Sequence, residues 1–213
     1  MLTVKHFTFN SFAVNTYLIY NEQNESLLID PGCYGKKEEN ELKDYVKQKK
    51  IHIQKQINTH CHIDHILGNF FAADTFKSPL YIHKAGLLFL ETADVYANNF
   101  GFQLQNVCQP DGFIDEKSEI ILGNEILNIL YTPGHADGSI CIVNHSNHFI
   151  ITGDTLFRSA IGRTDLPTGN MNLLLKNIKE KILTLPEDYL VYPGHGEKTS
   201  IKFEKYHNPF LIN

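Results

Sequence analysis

The run Asn58-Thr59-His60-Cys61-His62-Ile63-Asp64-His65-Ile66-Leu67-Gly68 holds three imidazoles and a carboxylate within six positions. Neutral imidazole and carboxylate are the ligands that zinc and iron take most readily. A loop of surface histidines would have no reason to gather them. Ile51, Ile53 and Ile57 precede the run as a strand ending near Thr59. On an extended backbone, residues two apart face the same way, so His60 and His62 project together and Cys61 projects away. Asp64 and His65 then open a segment with Ile66, Leu67, Phe70 and Phe71 at helical spacing. A carboxylate at its start suits a helix N-terminus.

His-x-His-x-Asp-His after a strand resembles the metallo-β-lactamase superfamily. Members draw further ligands from three later loops, and each has a counterpart here. These are His135 in Tyr131-Thr132-Pro133-Gly134-His135, Asp154 in Ile151-Thr152-Gly153-Asp154-Thr155, and His195 in Tyr192-Pro193-Gly194-His195-Gly196. Each follows an apolar, strand-like run and lies beside glycine, which lets the backbone turn sharply. The resemblance implies an α/β fold, an αββα sandwich of two mixed β-sheets flanked by helices, with metals where strand ends meet. It places His60, His62 and His135 on one divalent ion, Asp64, His65 and His195 on a second, and Asp154 between them. Asp64, His65 and Asp154 are thereby expected to serve catalysis directly. Zinc is the first expectation for both ions, with iron or manganese compatible with the same ligands. A water held between two such ions loses its proton far more readily than bulk water, which makes a hydroxide the implied nucleophile. Asp30, in the turn Asp30-Pro31-Gly32, either supports the metal ligands from behind or caps the turn.

The continuation Gly153-Asp154-Thr155-Leu156-Phe157 into Gly162-Arg163-Thr164-Asp165 resembles the glyoxalase II-like hydrolases, especially their short single-domain members. Leu183-Thr184-Leu185-Pro186, the His195 motif and Asn208-Pro209-Phe210-Leu211 extend that resemblance over essentially the whole chain. It implies cleavage of a small-molecule 2-hydroxyacyl thioester. The Gly-Arg-Thr-Asp run also occurs in persulfide dioxygenases, so a one-iron oxidoreductase is the alternative. Glyoxalase II proper carries a helical extension with basic residues for glutathione. Here Lys202 and Lys205 are weak substitutes for that extension, so the thioester chemistry is better supported than glutathione as the thiol. Flavodiiron oxygen reductases carry a glutamate where this chain has His62. Arg163 and Asp165 read first as an ion pair fixing their loop.

The elements that must hold these residues are legible in outline. Residues 2–9, 14–20 and 26–29 read as strands, the last two joined by the polar turn Asn21 to Glu25. Gly35 to Lys50 reads as a helix with acids early and lysines late, which complements its dipole. A strand over 79–83 and a helix over 84–97 follow, then a turn-rich stretch over 98–112 suited to a cleft border. Strands are expected over 119–122, 125–130, 139–143 and 149–152. A helix over 171–182 follows Asn170 as its N-cap. No linker or repeat divides residues 1–213, so one domain is expected.

Composition sets the remaining limits. A formal net charge of −5 and 42% hydrophobic content fit a soluble protein without an RNA-gripping or membrane-binding surface. No nucleic acid or membrane partner is therefore expected. Four cysteines lie scattered at positions 33, 61, 108 and 141, with neither a disulfide framework nor a zinc knuckle in their spacing. A reducing cytoplasm is the simplest setting. His83, His145 and His148 read as ordinary structural or solvated histidines.

Overall fold

The structure, a computed structural model, describes residues 1–212. The chain begins as an antiparallel meander of β1 (Thr3–Phe9), β2 (Val14–Tyr20) and β3 (Glu25–Ile29). The turn before β3 is fixed by Asn21, whose Oδ1 accepts the N–H groups of Gln23 and Glu25 at 3.0 Å. Helix α1 (Gly35–Lys49) then carries the chain over to β4 (His52–Ile57), parallel to β3. A parallel neighbour requires a crossover of that length. Helix α1 ends at Lys50, which adopts the left-handed conformation (φ 55°).

Helices α2 (Ile63–Ile66) and α3 (Asn69–Phe76) lead to β5 (Leu80–Ile82), which lies parallel to β4. After α4 (Leu87–Glu91) and α5 (Ala93–Asn99), β6 (Gly112–Phe113) completes a six-stranded mixed sheet. The second sheet starts as an antiparallel meander of β7 (Glu119–Leu122), β8 (Glu125–Tyr131), β9 (Ile140–Asn144) and β10 (Phe149–Gly153). A small ribbon of β11 (Leu156–Phe157) and β12 (Ala160–Ile161) and helix α6 (Met171–Asn177) then intervene. Strand β13 (Leu190–Pro193) returns parallel to β10, and β14 (Thr199–Ser200) and α7 (Ile201–His207) follow.

Alternation along the central strands explains the layers. Ile19, Leu27, Ile29 and Ile57 of the first sheet meet Leu127, Ile129, Ile142 and Ile151 of the second, forming the core between them. Their neighbours Leu18 and Leu28 face outward and are covered by Leu42 and Val46 of α1. Cys141, Val143 and Ile150 likewise face outward and are covered by Leu174 of α6 and by Ile178 and Ile182. Strands buried on both faces read as unbroken apolar runs, as β9 and β10 do. This is the αββα sandwich expected from the sequence. Among the described residues, no helix is long and apolar enough to cross a membrane.

Several boundaries differ from expectation for local reasons. Strand β4 stops at Ile57, two residues early, and the segment after His62 forms two helices. Gly68 causes the break. Its N–H donates to Pro31 O at 2.7 Å, and a Cβ there would collide with Cys33 Sγ and Pro31 O. The expected helix over 84–97 opens as a 3-10 turn and is interrupted at Thr92, whose hydroxyl bonds back to Leu88 O at 3.0 Å. Asn170 caps α6 as expected, its Oδ1 accepting the Leu173 N–H at 3.0 Å. Beyond Asn177 the helix widens into a π turn over Ile178–Ile182. Strands β6, β11, β12 and β14 have two residues each, too few to show a period.

Candidate metal centre

The two sheets end along one edge, and every ligand-type side chain leaves an element there. His60 and His62 follow β4, and Asp64 and His65 belong to α2. His135 lies between β8 and β9, Asp154 follows β10, and His195 follows β13. All seven residues converge. Their donor atoms group as His60/His62/His135, His60/His65/Asp154 and Asp64/His65/His195, each within 4.8 Å. Asp154 lies between the groups: Oδ1 is 3.4 Å from His65 Nε2, and Oδ2 is 3.6 Å from His135 Nε2 and 3.5 Å from His195 Nε2. Gly194 makes that approach possible, since a Cβ there would run into Asp154 Oδ1 and His65 Cε1.

Outer partners orient the rings. His135 Nδ1 donates to Arg163 O at 2.8 Å, and His195 Nδ1 donates to Phe12 O at 3.0 Å. A carbonyl can only accept, so each ring is left with its Nε2 lone pair facing the site. His65 Nδ1 lies 3.0 Å from Asp30 Oδ2, which leaves its Nε2 facing Asp64 and Asp154. Asp30 is itself held by the N–H and hydroxyl of Thr59, both at 2.6 Å. Such outer carboxylates and carbonyls fix ring orientation in metal sites. Asp30 thus sits behind His65 as well as ending its strand.

The arrangement fits cations. His60 Nε2, His65 Nε2 and Asp154 Oδ1 are buried with no hydrogen-bond partner. A buried polar atom left unpaired costs about 1–3 kcal/mol, so lone pairs turned toward one another call for a positive charge among them. The protonation tendencies show where that positive charge is wanted, since a proton on His65 stands in for it beside the carboxylates. Burial pushes His60 and His62 down, His62 to about 3, and neighbouring imidazoles push the same way, so both rings are neutral donors. Burial also lowers His135, against the pull of Asp154. Burial would lower His65 too, but Asp64, Asp154 and Asp30 outweigh it and hold it well above the usual imidazole range. Asp154 is buried, yet the surrounding histidines hold it ionised, far below the ordinary carboxylate range.

Sequence reasoning missed part of the support. Asn10 Nδ2 donates to Gly32 O and to Asp64 O at 2.9 and 3.0 Å, and Asn58 Nδ2 donates to His65 O at 2.9 Å. Asn15 Nδ2 reaches Pro193 O and Gly196 O, both at 2.9 Å, and Tyr17 Oη donates to Pro193 O at 2.6 Å. The available signal was Asn15-Thr16, two polar residues inside the otherwise apolar β2 and nearly without exposure. Arg163 and Asp165 form the expected ion pair through two bonds of 2.8 and 2.7 Å. Cys61 is buried against Gly86 in the apolar cluster with Leu80, Ile82 and Phe89, although part of it reaches the cavity wall. His83 stacks on Tyr131 with ring centroids 4.1 Å apart. A cavity of about 630 Å³ opens over the centre, and Phe100 is the one residue of the turn-rich stretch after α5 that lines it.

The family model for the metallo-beta-lactamase superfamily matches residues 10–195. The chain belongs to that superfamily of metal-dependent hydrolases, whose fold binds divalent metals. Among curated relatives, the "Probable metallo-hydrolase M6_Spy0554" of Streptococcus pyogenes is 36% identical over 92% of this chain and 85% of its own length. "Hydroxyacylglutathione hydrolase GloC" of Haemophilus influenzae is 32% identical over 94% of each chain. Among solved structures, BLEG-1 B3 metallo-beta-lactamase superposes with a TM-score of 0.90 at 31% identity, covering 99% of this chain and 100% of that one. TTHA1623 in a di-iron-bound form gives 0.87 at 29% identity, over 98% and 100%. ETHE1 from Myxococcus xanthus gives 0.78 at 26%, over 97% and 83%.

Proposed function

We propose that this chain is a binuclear metal hydrolase that cleaves a 2-hydroxyacyl thioester, in the manner of the glyoxalase II-like branch. The observation that carries the reading is the double donor set with Asp154 between its halves. His60, His62 and His135 would hold one ion, Asp64, His65 and His195 the other, and Asp154 both. Two such ions supply a water made acidic enough to react at neutral pH and Lewis acidity for the carbonyl oxygen. The protein's own residues do the positioning. Asp30 and the carbonyls of Arg163 and Phe12 hold three rings in the donor orientation before anything binds. Asp154 and Asp64 bring two negative charges, which leaves a pair of divalent ions net positive.

The thioester assignment is supported by the Gly162-Arg163-Thr164-Asp165 run, whose arginine carbonyl holds His135. The similarity to the Haemophilus influenzae hydroxyacylglutathione hydrolase, spanning 94% of both chains, supports it too. Zinc is the favoured metal, although the likeness to a protein solved in a di-iron-bound form makes iron the first competitor. A one-iron persulfide dioxygenase is the second reading. It shares the first ligands and the Gly-Arg-Thr-Asp run, and it leaves the Asp64/His65/His195 group without a purpose.

One sample distinguishes the two. Metal-loaded protein is given 2-hydroxyacyl thioesters with a thiol-trapping dye, and glutathione persulfide in an oxygen electrode. Thiol release without oxygen uptake is expected, with two ions per chain by metal analysis. Oxygen uptake with the persulfide, one tightly held ion and no thiol from any thioester would overturn the hydrolase reading.

A further inference from the structure

The cavity over the metal centre is lined in part by the aromatic residues Phe12, Phe89, Tyr96, Phe100 and Phe157. Phe89 stands edge-on to His62 at 5.0 Å between centroids, and Phe157 lies 6.2 Å from His195, so rings touch ligands of both halves. Phe12 holds His195 through its carbonyl, and its side chain packs edge-on against Phe100 at 5.4 Å. Phe12 and Phe100 are 41% and 53% exposed, both at the cavity rim. Large apolar side chains exposed together beside a reactive centre mark a ligand surface.

The charges of the wall are already matched. Two arginines line the cavity, and no lysine does among the described residues. Arg158 Nη1 binds Glu197 Oε2 at 3.0 Å, and Arg163 binds Asp165 through Nε and Nη2. Glutathione carries two carboxylates, and among the described residues the wall offers them no arginine or lysine that is not already paired with an acid. An aryl or alkyl group needs no cation and can pack on Phe100, an aromatic contact of a kind that contributes measurably beyond its buried area.

Resting on the hydrolase reading above, we propose that the substrate is a thioester bearing an uncharged, apolar aryl or alkyl group beside the scissile carbonyl, seated on the Phe12–Phe100 wall. The apolar group can belong to the thiol half or to the acyl half, and two arms of the test separate these.

Metal-loaded protein is titrated calorimetrically with uncleavable ketones in which CH2 replaces the thioester sulfur. One arm compares lactoyl analogues of benzyl thiol, methyl thiol and glutathione. The other compares phenylacetyl with acetyl analogues of methyl thiol. In at least one arm the aromatic ligand should bind about tenfold or more tightly than its small partner. Phe100→Ala should reduce that ratio to about twofold, and Phe100→Leu should retain an intermediate ratio. No aromatic preference in either arm, an unchanged ratio in Phe100→Ala, or a glutathione analogue binding as tightly as the benzyl one would each overturn the proposal. Turnover of the matching thioesters is followed separately. Aromatic preference in binding without thiol release from any thioester would uphold the apolar ligand and overturn the hydrolase reading. Thiol release without that preference would do the reverse.

Discussion

His60, His62 and His135 meet as three imidazoles with no carboxylate of their own, whereas Asp64 stands with His65 and His195. The first group is the more deeply buried in two of its members: His60 and His135 are about 1% and 2% exposed, while His62 is half-buried and reaches the cavity wall. The second opens to the cavity through His195, whose side chain is 27% exposed. Burial governs the first group and drives its rings neutral. In the second, the carboxylates overcome burial and raise both His65 and His195. One half is therefore an uncharged, desolvated socket. The other carries its own negative charge and meets the solvent. Asp154 belongs to both, and that asymmetry can be probed one half at a time.

The largest effect is expected at Asp154. Asp154→Ala should lower bound metal below one ion per chain and activity by about a thousandfold or more, since both halves lose a ligand. Asp64→Asn removes charge from one half only and should retain one ion, read by metal analysis. Equal loss in both variants would end the distinction. Chelation should proceed in two steps, with the ion of the open half leaving first because His195 is its exposed ligand. Full removal should lower Tm, since saturation at a thousandfold above Kd stabilises the fold by about 4 kcal/mol. A single-step loss would mean that the halves do not differ in access.

Asp30→Asn should act mainly on the second half, weakening one of the two ions by about 10–100-fold, since its link to His60 runs only through the Thr59 hydroxyl. The amide can still accept from Thr59, so thermal stability distinguishes loss of the fold from loss of His65 orientation. Cys61→Ser is the smallest change. Its thiol faces Gly86 and belongs to neither half, so metal content and turnover should stay within about twofold of the parent. A larger drop would bring the thiol into the centre.

Much of this cluster was readable because side chains able to hold a metal are of few types, and those types stand out from an apolar background. The His60-to-His65 run, His135, Asp154 and His195 needed no tertiary knowledge to be noticed. Their outer partners were harder. Asn10, Asn58 and Asn15 act through backbone carbonyls far along the chain, and asparagine in a turn or strand carries no sign of such a role. The fold shows the same division. Strands β2, β9 and β10 announce themselves through apolar runs, while Gly68 breaks a helix only because Pro31 and Cys33 stand in its way. The two-residue strands and the π turn after α6 answer to neighbours rather than to their own sequence.

The loop that carries His195 is stitched to β2, about 180 residues earlier in the chain. Asn15 N–H donates to Gly194 O at 2.7 Å, Val14 bridges His195, and the Asn15 and Tyr17 side chains both grip Pro193 O. A ribosome adding roughly 5–20 residues per second exposes the His60-to-His65 run many seconds before His195 exists. During that interval β2 has no β13 loop to receive, and the open half lacks its last imidazole. Completion of the second half thus waits for the His195 loop, and a chain that stops short of that loop can offer metal only the three-imidazole half.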